Sequence, residues 1–266
     1  MEARAAVTET RAIRVEREGG VARVVLNRPP LNVLNLETIR ELGLGIQSAT
    51  GKAGVRLIEI ASGLPAAFSS GTEIREHFRE SAPALLREFH ALIRAVLFAP
   101  VPTVALVEGY CLGGGMELAM ACDFLVAARD ARFGQTEIRV GAFPPAASVL
   151  LPKLIPEKRA LEMILTGKTI TGEEAYRLGL VNRLAGGPDG GTLEEAAEKF
   201  RKAILDQSPK VVDLARRAVR LGWREALEGA LREAERIYLD ELLPTEDAEE
   251  GLRAFLGKRL PKWKGR

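Results

Sequence analysis

Short apolar runs alternate along the first half of the chain with stretches of helical period. Residues 13–16 and 21–26 are β-rich and flank Glu18-Gly19-Gly20, a pattern that predicts a hairpin. Asn35 is placed to cap a helix that runs to about Thr50. Residues 57–61 form an apolar strand interrupted only by Glu59. A helix is expected over 82–98, stopped by Pro100 and Pro102. A buried strand at 104–107 leads into a glycine cluster, an apolar helix and a strand at 124–128. Buried strands that alternate with helices predict an α/β architecture.

Past about Leu150 the pattern turns helical. Thr171-Gly172-Glu173-Glu174 reads as a capping box, and the glycine-rich stretch 186–191 as the clearest loop. Thr192 to Glu195 is a second capping box, opening a helix to about Leu205. Ser208-Pro209 opens another, residues 224–242 a third, and Thr245 with its acidic followers a fourth. These signals divide the chain into an α/β core, residues 1–195, and a C-terminal helical module, residues 196–266. No internal repeat is visible.

Composition narrows the classes. A chain of 266 residues is one large domain, or one domain with an appendage. With 47% hydrophobic and 28% charged residues, overall disorder is excluded. The formal net charge of +2 supplies no global field for nucleic acid. Two cysteines, Cys111 and Cys122, make no disulfide framework and fit a reducing, cytoplasmic compartment. The first twenty residues lack the apolar region of a secretory signal, and no apolar stretch is long enough to span a membrane.

Three segments carry chemistry. From Val104 to Asp123, a strand runs into Gly113-Gly114-Gly115 and then directly into an apolar helix. No Lys-Ser/Thr pair and no G-x-G-x-x-G pattern accompany the glycines, so a phosphate loop and a dinucleotide turn do not fit. Two readings remain. The free N–H groups at the helix start could receive a developing oxyanion beside Glu117, or the glycines could merely permit tight helix–sheet packing. The small residues from Ser69 to Thr72 suggest another close backbone approach, although an ordinary βα loop has the same composition. Glu137 precedes an apolar stretch. It is either a surface carboxylate or, with a pKa raised by apolar neighbours, a proton donor. His77 and His90 have no ligand-like spacing and read as surface or packing residues, and no metal site is visible.

Taken together these segments resemble the crotonase superfamily, specifically enoyl-CoA hydratases. Ala67–Glu76, Gly109–Asp123 and Phe133–Gly141 follow the family's three motifs, with Thr136 where proline is common. Leu26-Asn27-Arg28-Pro29 with Asn35, Leu165-Thr166-Gly167, Gly179-Leu180-Val181 and Gly251 to Arg259 extend the resemblance in collinear order. It implies a crotonase-like spiral of ββα units forming two sheets, then a helical trimerisation module, in trimers or dimers of trimers.

The resemblance also assigns roles. Glu117 would mainly activate water and Glu137 mainly supply the proton. The N–H groups of Thr72 and Gly114 would form the oxyanion hole. Phe68, Ser69, Ser70, Arg75 and Lys258 would bind coenzyme A, with Lys258 supplied by a neighbouring subunit. Coenzyme A belongs to the substrate, so no separate cofactor is implied. One departure stands out: Pro145, which has no N–H, replaces a glycine whose amide normally helps hold the water. The pattern around it is similar to hydratases of cyclic conjugated dienoyl-CoA thioesters. An enoyl-CoA isomerase is the nearest rival, disfavoured by Glu117. RNA binding would need a basic stripe, for which Arg40, Lys52 and Arg56 are poor material, and a catalytically silent relative is left open by Pro145.

Overall fold

The computed structural model describes residues 8–9, 12–51, 54–186 and 191–266. The predicted loop residues 187–190, Lys52 and most of the first eleven residues lie outside that set. Three strands start the chain: β1 (Thr8–Glu9), β2 (Ile13–Glu18) and β3 (Val21–Leu26). β2 and β3 pair antiparallel around the Gly19-Gly20 turn, as the pattern predicts. Helix α1 (Leu36–Thr50) is capped by Asn35, whose side chain accepts from the Thr38 N–H. Ile39, Leu42 and Ile46 point inward at helical spacing, each burial being worth about 1.5–3 kcal/mol.

A three-part unit then recurs. β4 (Leu57–Ser62) is followed by β5 (Ala67–Ser69) and helix α2 (Ala82–Leu97). β6 (Thr103–Val107), β7 (Tyr110–Leu112) and helix α3 (Gly114–Ala121) repeat the order. So do β8 (Phe124–Ala128), β9 (Arg132–Gly134) and helices α4 (Pro145–Leu154) and α5 (Glu157–Thr166). β10 (Thr169–Thr171), α6 (Gly172–Arg177) and β11 (Arg183–Ala185) close the spiral. The first strand of each unit joins a seven-stranded sheet of order β1-β2-β3-β4-β6-β8-β11, parallel from β3 onward. The second joins a four-stranded sheet of order β10-β9-β7-β5. Its three-residue strands are too short to show a period, which is why sequence patterning misses them. All eight residues of α3 are buried, so this helix presents no solvent face, and Glu117 is its one charged side chain.

Four helices follow: α7 (Leu193–Leu205), α8 (Pro209–Val219), α9 (Trp223–Arg236) and α10 (Glu246–Leu256). Both predicted capping boxes form, at Thr171–Glu174 and Thr192–Glu195. The division at 195/196 runs through α7, whose Ala197 packs with Leu57, Val104 and Leu106 on the large sheet. Glu59, the polar interruption in β4, is 1% exposed and bound by Arg23 from β3 and Arg201 from α7. Asp123 likewise clamps α8 through Arg216 and Arg220. The predicted helix 224–242 changes character near its end. Residues Ile237–Leu242 form a π-helical turn, a distortion frequent at functional sites.

Candidate active site

The site forms where the ends of three units meet. Gly113 leaves β7 with φ +49° and ψ −129°, a backbone state that favours glycine. The turn starts α3 and places Glu117 in its first helical turn. Gly115 lies against Ser69 of β5, where a methyl group would come within 2.6 Å of the Ser69 Cβ. The glycine cluster therefore serves close helix–sheet packing, one of the two sequence readings.

Glu117 is 4% exposed, and its Oε1 accepts the Ala147 N–H at 2.7 Å. Ala147 is the third residue of α4, so an N-terminal helix amide faces the carboxylate. Pro145 occupies the first position of that helix, where its missing N–H costs no hydrogen bond within the helix. Burial raises the pKa of Glu117, while the Ala147 amide and the charge of nearby His90, when protonated, pull it down.

Glu137 opens the 3-10 turn Glu137–Val140 after β9. Its Oε2 is buried without a hydrogen-bond partner. Burial first, and then the charge of Glu117, pushes its pKa up to about 8. Both carboxyls are raised above the ordinary range by burial, and two such groups side by side cannot both ionise freely.

The amides named by the sequence lie together. A methyl group on Gly114 would sit 3.4 Å from the Thr72 nitrogen, and one on Gly71 would sit 3.5 Å from the Gly114 nitrogen. Among the described residues neither N–H has an acceptor within the chain. The bonds around Thr72 run past it, from Leu34 N–H to Gly71 carbonyl and from Glu73 N–H to Leu34 carbonyl.

The residues expected at coenzyme A divide into two groups. Phe68 is fully buried in the main core. Ser69 is also buried, with Oγ donating to the Asn32 carbonyl at 2.8 Å and accepting from the Gly71 N–H. These two side chains serve the fold, and only their backbone is left for a ligand. Ser70 is half-buried, while Arg75 and Lys258 are exposed.

Two histidines that sequence reasoning left at the surface or in packing are buried and bonded close to the site. His77 Nε2 lies 2.7 Å from Thr72 Oγ1, and its Nδ1 lies 2.7 Å from the Tyr238 hydroxyl. His90 is fully buried with Nδ1 2.7 Å from Glu235. Tyr238 and Glu235 come from the C-terminal helices, more than 140 residues away, so no local signal could have paired them. Gln135 is a third omission: both ends of its buried amide lack a partner. Among the described residues no three His, Cys, Asp or Glu side chains are grouped to hold a metal ion. No described helix is long and apolar enough to cross a membrane. Of the arginines considered for RNA, Arg40 pairs with Glu88, and Arg56 is bonded to the Leu205 and Gln207 carbonyls.

The ββα spiral with its C-terminal helices is the crotonase fold. An enoyl-CoA hydratase/isomerase from Xanthobacter autotrophicus Py2 superposes with a TM-score of 0.81 at 32% identity, covering 93% of this chain and 97% of that one. The sequence pattern of the enoyl-CoA hydratase/isomerase family matches residues 16–266, and the chain belongs to that family. It is 36% identical over 252 residues to the cyclohexa-1,5-dienecarbonyl-CoA hydratase of Thauera aromatica, covering 95% of this chain and 96% of that one. It is also 36% identical over 255 residues to a probable enoyl-CoA hydratase of Rhizobium meliloti, covering 95% and 97%.

Proposed function

We propose that this protein is an enoyl-CoA hydratase that adds water reversibly across the conjugated double bond of an enoyl-CoA thioester. One observation carries the reading: two carboxyls, buried Glu117 and half-buried Glu137 with its Oε2 enclosed, flank a glycine turn beside two amide donors that have no acceptor among the described residues. Glu117 carries the helix amide of Ala147 and serves as the carboxylate base. It takes one proton from water as the hydroxide bonds to Cβ. The double-bond electrons move to the thioester oxygen, which the Thr72 and Gly114 N–H groups receive as an enolate. Glu137, protonated at neutral pH, gives its proton to Cα as the enolate collapses. The proton taken by Glu117 then restores Glu137. The mechanism needs no group other than the substrate's own coenzyme A.

Ser70, Arg75 and the backbone at Phe68 and Ser69 are the surface we assign to coenzyme A, with Lys258 reaching it from a neighbouring subunit. The exposed apolar side chains Leu165, Phe255, Leu260 and Trp263 support assembly as a trimer or dimer of trimers. The unpaired, buried thiols Cys111 and Cys122 fit a reducing cytoplasm.

The test is to mix the protein with crotonyl-CoA and follow loss of the conjugated thioester absorbance. Formation of 3-hydroxybutyryl-CoA is the expected product. The likeness to the Thauera aromatica relative favours a second substrate class, a cyclic conjugated dienoyl-CoA. Turnover of the ring substrate with none of crotonyl-CoA would select it. Failure of both would overturn hydration.

A further inference from the structure

The π-helical turn at Ile237–Leu242 puts a tyrosine at the site that the three sequence motifs do not contain. Tyr238 is 1% exposed, and its ring packs edge-on against Phe143 at 5.4 Å between centroids. Its hydroxyl is 2.7 Å from His77 Nδ1, and His77 Nε2 is 2.7 Å from Thr72 Oγ1. The other branch of Thr72 is fixed as well, because its Cγ2 rests against Gly114, 2.8 Å from where a methyl group there would sit. Thr72 is therefore held at both tips of its side chain, by the C-terminal module on one side and by the glycine turn on the other.

We propose that Tyr238 and His77 are positioning residues for the oxyanion pocket: their hydrogen-bond chain holds Thr72 so that its N–H stays aimed with that of Gly114. This rests on the reading of those two amides as the donors for a thioester enolate. The protonation states support it. Burial lowers the His77 pKa to about 4, so the imidazole is neutral, with one donor and one acceptor nitrogen. Burial, together with the charges of Glu137 and Glu117, raises the phenol of Tyr238, so it stays protonated. Each link then carries one proton in either direction of the chain, and neither link is left unsatisfied. The geometry also gives the C-terminal helices a task beyond packing. Residues 1–195 supply both carboxyls and both amides, yet the tie that orients one of those amides starts at residue 238.

The experiment compares Tyr238→Phe, His77→Gln, Thr72→Val and Thr72→Ser with the wild-type full chain. The first three break a link while keeping the Thr72 amide and most of the packing volume; Thr72→Ser keeps the hydroxyl. Two readouts are taken: kcat and KM with whichever enoyl-CoA the wild type hydrates, and the absorbance shift of bound cinnamoyl-CoA, which moves to longer wavelength as its carbonyl is polarised. We expect kcat to fall about tenfold in the three breaking variants, less than the about 10²–10³ that loss of an oxyanion donor costs. KM should stay within about threefold, the spectral shift should shrink, and Thr72→Ser should restore both. Combining Tyr238→Phe with Thr72→Val should add little, since both cut one chain. Wild-type kcat and spectral shift in the breaking variants would overturn the proposal. So would a loss confined to KM or to thermal stability with the shift intact. Should one variant fail to fold, the other two decide. If the wild type hydrates no enoyl-CoA, the hydratase reading fails on its own. The spectral shift still tests the positioning chain in that case, and absence of any shift in the wild type would overturn that too.

Discussion

Glu137 occupies the space that a side chain on Gly113 would need: a methyl group there would lie 2.5 Å from Glu137 Oε1. The turn into α3 and the carboxyl of the following unit are thus fitted to each other. Gly113→Ala combines that overlap with a strained positive φ. We expect the variant to lose at least about tenfold in kcat, because displacing a reacting group by about 1 Å is costly. Steady-state kinetics with a parallel melting curve would separate displacement of Glu137 from general unfolding.

Replacing either carboxyl should be worse. Glu117→Gln removes the base and Glu137→Gln removes the acid, each with near-unchanged volume. Each variant should lose at least about 10²-fold in kcat. Near-normal hydration by either would remove that residue from the mechanism.

The raised pKa of Glu137 has a signature in pH. Activity should fall as pH rises through about 8, where the proton on Glu137 is lost, and this alkaline limb should be absent from the residual activity of Glu137→Gln. Stability follows the same sign. The folded state holds the proton up to about pH 8, while an unfolded glutamate releases it near pH 4.5. Between those values the native state binds more protons than the unfolded one, so stability is lost as pH rises. Glu137→Gln should therefore gain on the wild type by at least about 2 °C in Tm at pH 8 compared with pH 5. A pH-independent difference in calorimetric scans would contradict the assignment.

Glu59 tests the fold independently of the site. It is buried between the large sheet and α7, with Arg23 and Arg201 as its cationic partners. Removing both arginines leaves a carboxylate in the interior, which costs about 3–5 kcal/mol for a broken buried pair. Arg23→Ala combined with Arg201→Ala should lower stability by about that much in urea. Adding Glu59→Leu to the pair should recover part of the loss, since an apolar side chain has no charge to desolvate.

Local chemistry explains what could be read from the chain alone. Asn35, Thr171 and Thr192 cap the predicted helices because a side-chain oxygen satisfies an amide two or three residues away. The hairpin at Gly19-Gly20 and the parallel strands β4, β6 and β8 follow from runs long enough to show their apolar character. Glu117, Glu137, Thr72 and Gly114 are nominated by the resemblance of three short collinear motifs, while residue chemistry alone leaves a packing, loop or surface reading open for each. The second sheet was not legible, since its strands are three residues long and draw their partners from other units.

The sequence by itself determined most of the longer strands and capped helices and carried the short motifs that nominate four groups for chemistry, because those depend on neighbours a few residues apart. Tertiary structure alone decided that Phe68 and Ser69 face inward, that the Ala147 amide is bonded to Glu117, and that Glu137 lies in the space beside Gly113. It alone joined His77 to Tyr238 across 161 residues and His90 to Glu235 across 145. A side-chain hydrogen bond depends on separation in space to within a few tenths of an ångström. Over such sequence distances that separation is set by the packing of whole helices.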